Sequence, residues 1–262
     1  MRRGYLEVWC TLFVAFLILL FISWNGGFSV GKFKLKSSGI VEKLTKEIDS
    51  TANVPAKKDM VDKPKLVKPV PVDTATQVVL FAGDSMTEGL YQRMAAWCDA
   101  SGHTMYAVIW YSSTTERWAN SKLLKRYIDE LHPTFVFFSC GGNELFISDI
   151  KDKRTPYVKE IVKEVGNIPF LWIGPPNWKA DTGINDMIAE NTPEGSFFLT
   201  NGMKFNRKKD GAHPTLESSA VWVDSIVRWM PKHSNHPIRL ERPSEKLGRA
   251  KHVYVHQPGD EP

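Results

Sequence analysis

The run Val78–Ala82 is apolar and stops at Gly83-Asp84-Ser85, after which a helix-forming stretch begins. A serine at the end of a buried strand and the start of a helix meets partial positive charge and free N–H groups. That is a good position for a nucleophile that must generate an oxyanion. Ser and Asp are also favoured helix caps, so capping is the competing reading. A second polar cluster, Ser139-Cys140-Gly141-Gly142-Asn143-Glu144, ends another apolar run. Its two glycines let backbone approach a ligand, and Asn143 can aim an amide at an oxygen. A plain turn would use the same residue types. The third cluster, Asp210-Gly211-Ala212-His213-Pro214, precedes the last helical pattern. Of seven histidines, only His213 has an acidic residue three positions earlier within a turn-rich loop.

These clusters need a scaffold that brings strand ends together. Five short apolar runs read as strands: 77–82, 104–110, 134–139, 169–174 and 196–200. Helical stretches alternate with them at 88–100, 116–131, 156–165, 183–190 and 215–230. In the last, Leu216, Ala220, Val223, Val227 and Met230 recur at helical spacing. Continuous apolar strands alternating with helices imply an α/β fold, a parallel sheet of about five strands covered on both faces. Such sheets bind ligands outside the carboxyl ends of their strands, where the first two clusters fall, while the third lies immediately before the last helix.

The three blocks, in this order and at these separations, resemble those of the SGNH/GDSL hydrolases over about residues 77–230. The resemblance implies a flavodoxin-like three-layer αβα sandwich. It also implies roles: Ser85 as nucleophile, His213 as general base and then acid, and Asp210 as the group that orients and stabilises the imidazolium. The oxyanion hole would draw on the Ser85 N–H, a backbone N–H at Ser112 or Ser113, and the Asn143 amide. Asp84, Gly142, Glu144 and Trp178 are expected to contact substrate; Trp178, just past the fourth strand, either stacks on a sugar face or packs on its own domain. One block departs from the family pattern. The stretch Trp110-Tyr111-Ser112-Ser113-Thr114-Thr115 lacks the usual glycine, although a backbone N–H does not require one. Other catalytic signatures fail on spacing: Thr87 stands where a G-x-S-x-G elbow needs glycine. No phosphate-binding glycine loop or H-E-x-x-H is present, so neither cofactor nor metal is implied.

The rest of the chain sets the context. Residues 8–24 contain no charge, which predicts an uncleaved membrane anchor within residues 1–30; a cleaved signal peptide is the competing reading, against which the run is long and Ser23-Trp24-Asn25 is a poor cleavage site. Arg2 and Arg3 on one side nearly balance Lys32, Lys34 and Lys36 on the other, so charge does not orient it. Residues 31–76 are rich in Lys and Pro and read as a tether with a short helix at 41–48. Residues 231–262 are basic and polar and read as a disordered tail. Cys98 and Cys140 read as small core residues. A net charge of +5 without an arginine-rich aromatic patch argues against nucleic acid. By resemblance the chain is expected to be a bacterial envelope esterase, inner-membrane-anchored, with its domain in the periplasm or outside the cell. It would remove acetyl-sized groups from carbohydrate or peptidoglycan. The alternatives are an O-acyltransferase with the same residues and a catalytically silent carbohydrate-binding module.

Overall fold

The computed structural model describes residues 70–200 and 202–260, together with Phe13 and the stretches 27–30 and 33–36. The chain divides into two compact units, Met1–Pro64 and Lys65–Pro262. In the first, β1 (Gly27–Val30) and β2 (Phe33–Lys36) pair antiparallel, Gly27 opposite Lys36. Sequence reasoning had assigned this stretch to anchor and tether. The expected anchor at 8–24, Phe13 apart, and the expected helix at 41–48 lie outside the described residues. Among the described residues, no helix is long and apolar enough to cross a membrane.

The second unit is built on a six-stranded parallel sheet. Its strands are β3 (Val78–Gly83), β4 (Thr104–Trp110), β5 (Phe135–Ser139), β6 (Phe170–Ile173), β7 (Phe197–Phe198) and β8 (His252–His256). They lie in the order β7-β6-β5-β3-β4-β8. The helices are α1 (Met86–Ala100), α2 (Thr115–Ser121), α3 (Leu123–Leu131), α4 (Ile150–Val165), α5 (Ile184–Glu190) and α6 (Leu216–His233). Alternation along β3 divides its side chains between two cores. Val79 and Phe81 join Leu90 and Met94 of α1 and Trp222 and Ile226 of α6. Leu80 and Ala82 join Leu124, Val158, Ile161 and Met187 from α3, α4 and α5. The result is a three-layer αβα sandwich. The chain leaves β3 toward β4 and then crosses back to β5 on the other side. That reversal opens a crevice at the carboxyl ends of β3 and β5, where ligands bind in such sheets.

Three expectations are corrected. The helix predicted over 116–131 is broken at Lys122, which has a left-handed φ of +58°. Ion pairs from Lys122 Nζ to Glu160 (2.8 Å) and Glu164 (3.1 Å) of α4 accompany the break. Helix α4 begins at Ile150, so Pro156 lies inside it rather than at its start. The third correction is larger: residues 231–260 are not a disordered tail. Helix α6 runs on to His233, Ile238 is buried beside Asp73, and β8 pairs in parallel with β4, Trp110 opposite His256. This adds a sixth strand, and it gives β4 a partner on an edge that would otherwise be open. His103 fixes the same segment from below, its Nδ1 accepting from the Gln77 N–H (3.1 Å) and its Nε2 donating to the Arg239 carbonyl (2.7 Å). Cys98 and Cys140 are buried free thiols, as expected of core residues.

Candidate active site

The β3–α1 turn decides what Ser85 can do. A Cβ on Gly83 would stand 2.0 Å from the Ser139 carbonyl oxygen, so only glycine permits this approach. The Asp84 N–H donates to that same carbonyl at 2.9 Å, locking the turn against β5. Asp84 Oδ1 then accepts the Met86 N–H at 2.9 Å. The aspartate thus serves the helix N-terminus, while Ser85 makes no side-chain cap bond. The capping reading of Ser85 therefore does not hold, and its hydroxyl is free for another partner.

That partner is His213. Its Nε2 lies 2.8 Å from Ser85 Oγ, and its Nδ1 lies 2.9 Å from Asp210 Oδ2. The loop carrying both residues closes on itself. Arg207 and Pro214 form a bridge, and the Lys208 N–H donates to the His213 carbonyl at 2.7 Å. Asp210 Oδ1 accepts the N–H groups of Ala212 (2.8 Å) and His213 (2.9 Å), leaving Oδ2 for the ring. The His213 N–H, then that of Ala212, then the His213 ring hold the Asp210 carboxyl down at about 2. An ionised carboxylate only accepts, so Nδ1 carries the ring proton and Nε2 is the lone pair facing Ser85. This is the proton arrangement a general base requires.

The oxyanion side is built from the two other loops. Ser113 is buried and fully engaged. Its N–H donates to the Trp110 carbonyl (3.2 Å), its Oγ accepts from Trp118 Nε1 (2.9 Å), and its carbonyl accepts from Asn143 Nδ2 (2.9 Å). Ser113 is therefore not the donor. Ser112 is exposed, and its N–H has no partner among the described residues. Its φ of +55° is the left-handed conformation that favours glycine. Asn143 spends one amide hydrogen on Ser113 and keeps a second.

Two residues expected to touch substrate are supports instead. Asp84 is 1% exposed, and burial pushes its carboxyl up to about 6, against the opposing pull of the Met86 N–H. Glu144 is wholly buried, accepting from the Thr115 N–H (3.0 Å) and hydroxyl (2.8 Å) and pairing with Arg154 Nε (2.9 Å). Burial raises its carboxyl above the usual range, with the Thr115 and Arg154 contacts opposing. Glu144 thus fastens the Asn143 loop to α2 and α4. Gly142 is buried, and its carbonyl accepts from Trp178 Nε1 at 3.2 Å. Trp178 stands half-buried at the crevice rim.

No family model and no curated protein matches the chain. Solved structures do. A psychrotrophic esterase, EstA from Pseudoalteromonas sp., solved inhibited by monoethylphosphonate, is 19% identical with a TM-score of 0.40, over 58% of this chain and 98% of its own. TesA is 17% identical with a TM-score of 0.45, over 59% and 97%. The Clostridium thermocellum family 3 carbohydrate esterase is 15% identical with a TM-score of 0.41, over 60% and 100%. A putative lipolytic protein of the G-D-S-L family from Desulfitobacterium hafniense is 14% identical with a TM-score of 0.39, over 58% and 98%. These are likenesses of fold, and the chemistry is read from Ser85, His213 and Asp210 themselves.

Sequence reasoning gave no role to three residues at this site. Arg207 donates through Nη1 to the Ala212 carbonyl and through Nη2 to the Pro176 and Asn177 carbonyls, each at 3.0 Å. It ties the loop that carries Asp210 and His213 to the segment after β6, and its place three residues before Asp210 was the available signal. Phe146 packs edge-on against Trp178, with ring centroids 5.3 Å apart. Lys179 Nζ stands 4.0 Å from the Phe146 centroid.

Proposed function

We propose that the domain is a serine esterase that removes small O-acyl groups, acetyl above all, through an acyl-Ser85 intermediate. The observation that carries this reading is the continuous Ser85–His213–Asp210 chain at 2.8 and 2.9 Å. Ser85 Oγ attacks the ester carbonyl as its proton passes to His213 Nε2. Asp210 stabilises the resulting imidazolium. The tetrahedral oxyanion is met by the N–H groups of Ser85 and Ser112 and by the Asn143 amide, each donor worth roughly a hundred- to a thousandfold in rate. His213 returns the proton to the departing sugar hydroxyl, leaving acyl-Ser85. Water then attacks with His213 as base, and the carboxylic acid leaves.

The substrate reading is an acylated envelope carbohydrate or peptidoglycan, outside the membrane to which residues 8–24 would anchor the chain. Its supports are the charge-free run and the aromatic Trp178 at the crevice rim. An O-acyltransferase would share every step as far as acyl-Ser85 and differ only in the acceptor. The Ser112 N–H speaks against a silent module, because it supplies the donor whose glycine is missing. The test is hydrolysis of 4-nitrophenyl acetate, butyrate and octanoate by the full chain and by Ser85→Ala. Activity falling from acetate to octanoate and dropping at least roughly a thousandfold in the variant is expected. Equal rates for the two proteins contradict the reading. Transfer of acetyl to an added glycan, in preference to water, would decide for the transferase.

A further inference from the structure

One rim of the crevice carries features that small-ester hydrolysis does not use. Residues 175–179 strap the two sides of the site together. Trp178 Nε1 donates to Gly142 on the oxyanion side, and Pro176 and Asn177 accept from Arg207 on the catalytic-loop side. The strap presents Trp178 and Lys179 to solvent beside Phe146, which is 63% exposed although the domain has a large apolar core. Lys179 Nζ stands 4.0 Å from the Phe146 centroid and 5.1 Å from that of Trp178. In the loop that carries Asp210 and His213, Lys208 and Lys209 are exposed immediately before Asp210, and Lys204 is exposed a few residues upstream. Among the described residues, none of Lys179, Lys204, Lys208 and Lys209 pairs with a carboxylate. The two acids nearest in sequence are already committed. Asp181 accepts from the Gly183 and Ile184 N–H groups and from Asn185, and Asp210 holds His213.

We propose that this rim recognises a carboxylate-bearing sugar polymer, so that the substrate is an O-acylated acidic glycan rather than a neutral one. The inference rests on the esterase reading above and names its substrate class. Aromatic rings accept the apolar face of a sugar, and Lys179 beside them meets its carboxylate. Lys208 and Lys209 meet the acidic units that follow along the polymer. Such a field raises the local concentration of an anionic substrate and weakens with salt. The chemistry is unchanged: the ester and water give the free hydroxyl and acetic acid.

The test uses the full chain and two probes, polygalacturonic acid and xylan, chemically O-acetylated to equal degree, with acetate release as the readout. At low salt the acidic polymer is expected to react on the order of tenfold faster than the neutral one. The preference should shrink at roughly 0.5 M salt, where charges are screened beyond a few ångströms. Lys179→Gln should cut it about two- to fivefold, as befits one exposed contact, and Lys179→Arg should keep it. Equal rates on both polymers, or a preference indifferent to Lys179→Gln, overturn the inference. Binding of the acidic polymer without faster cleavage overturns it too. If Ser85-dependent hydrolysis of 4-nitrophenyl acetate is intact in that case, only the rim assignment falls. If that hydrolysis does not depend on Ser85, the esterase reading falls and takes this one with it.

Discussion

Asp84→Asn tests whether the buried Asp84 carboxyl titrates differently in the folded and unfolded chain. Asp84 is 1% exposed and holds the Met86 N–H at 2.9 Å, and burial raises its carboxyl from 3.8 to about 6. A raised carboxyl binds its proton more tightly in the folded state than in the unfolded one. Stability therefore falls as pH climbs from about 4 to about 6, and the loss is complete above that range. A shift of about two units, at about 1.4 kcal/mol each, amounts to about 3 kcal/mol. Asparagine can still accept the Met86 N–H but cannot ionise, and its NH₂ faces the Gly141 N–H that Asp84 also accepts. That mismatch costs about 1–3 kcal/mol at every pH. The diagnostic quantity is thus the pH dependence of the difference, not the difference itself. Urea unfolding followed by tryptophan fluorescence, at intervals from pH 4 to pH 8, should show wild type losing about 3 kcal/mol relative to the variant. Parallel stability curves would refute the reasoning, because they would mean that Asp84 titrates alike in both states.

Three further outcomes follow from the same geometry. Ser112→Pro removes the free N–H and forbids the left-handed φ, so kcat should fall roughly a hundred- to a thousandfold, whereas Ser112→Gly should keep activity and gain about 1 kcal/mol in unfolding free energy. Arg207→Ala frees the loop that carries Asp210 and His213 from the segment after β6, and kcat on 4-nitrophenyl acetate should drop on the order of a hundredfold; Arg207→Lys should recover little, since a compact ammonium cannot span the separate Nη1 and Nη2 contacts of the guanidinium fork. Deleting residues 252–262 opens the β4 edge and strips the Tyr111 N–H and Trp110 Nε1 of their partners at His256 and Gln257; a fall in Tm by thermal unfolding, with lower kcat, is expected.

The site was legible because its parts are local in sequence. Each block is a strand end or helix start with its polar residues adjacent, and alternating apolar runs announce a parallel sheet that collects strand ends at one edge. What stayed hidden was tertiary. Ser112 and Ser113 look interchangeable in sequence, and only the Trp110 and Asn143 hydrogen bonds exclude Ser113. Asp84 and Glu144 look like substrate contacts because they are acidic and sit in the blocks, yet burial turns both into struts. Strand β8 is the five residues His252-Val253-Tyr254-Val255-His256 in a basic segment, and none of them is fully buried. Such a strand forms because β4 offers it an edge, not because its own residues demand it. The helical pattern breaks at Lys122, whose ammonium pairs with Glu160 and Glu164 of α4, and no local periodicity reveals that.

The central claim is the acyl-Ser85 intermediate, and the most direct measurement is a trapped one. Wild type and Ser85→Ala would be quenched in acid during turnover of 4-nitrophenyl acetate and digested, and their peptides weighed. A single acetyl group on the peptide containing Ser85 in wild type, and none in the variant, is the predicted result. Steady turnover by wild type with no adduct on that peptide, or the same adduct elsewhere in both proteins, would contradict it.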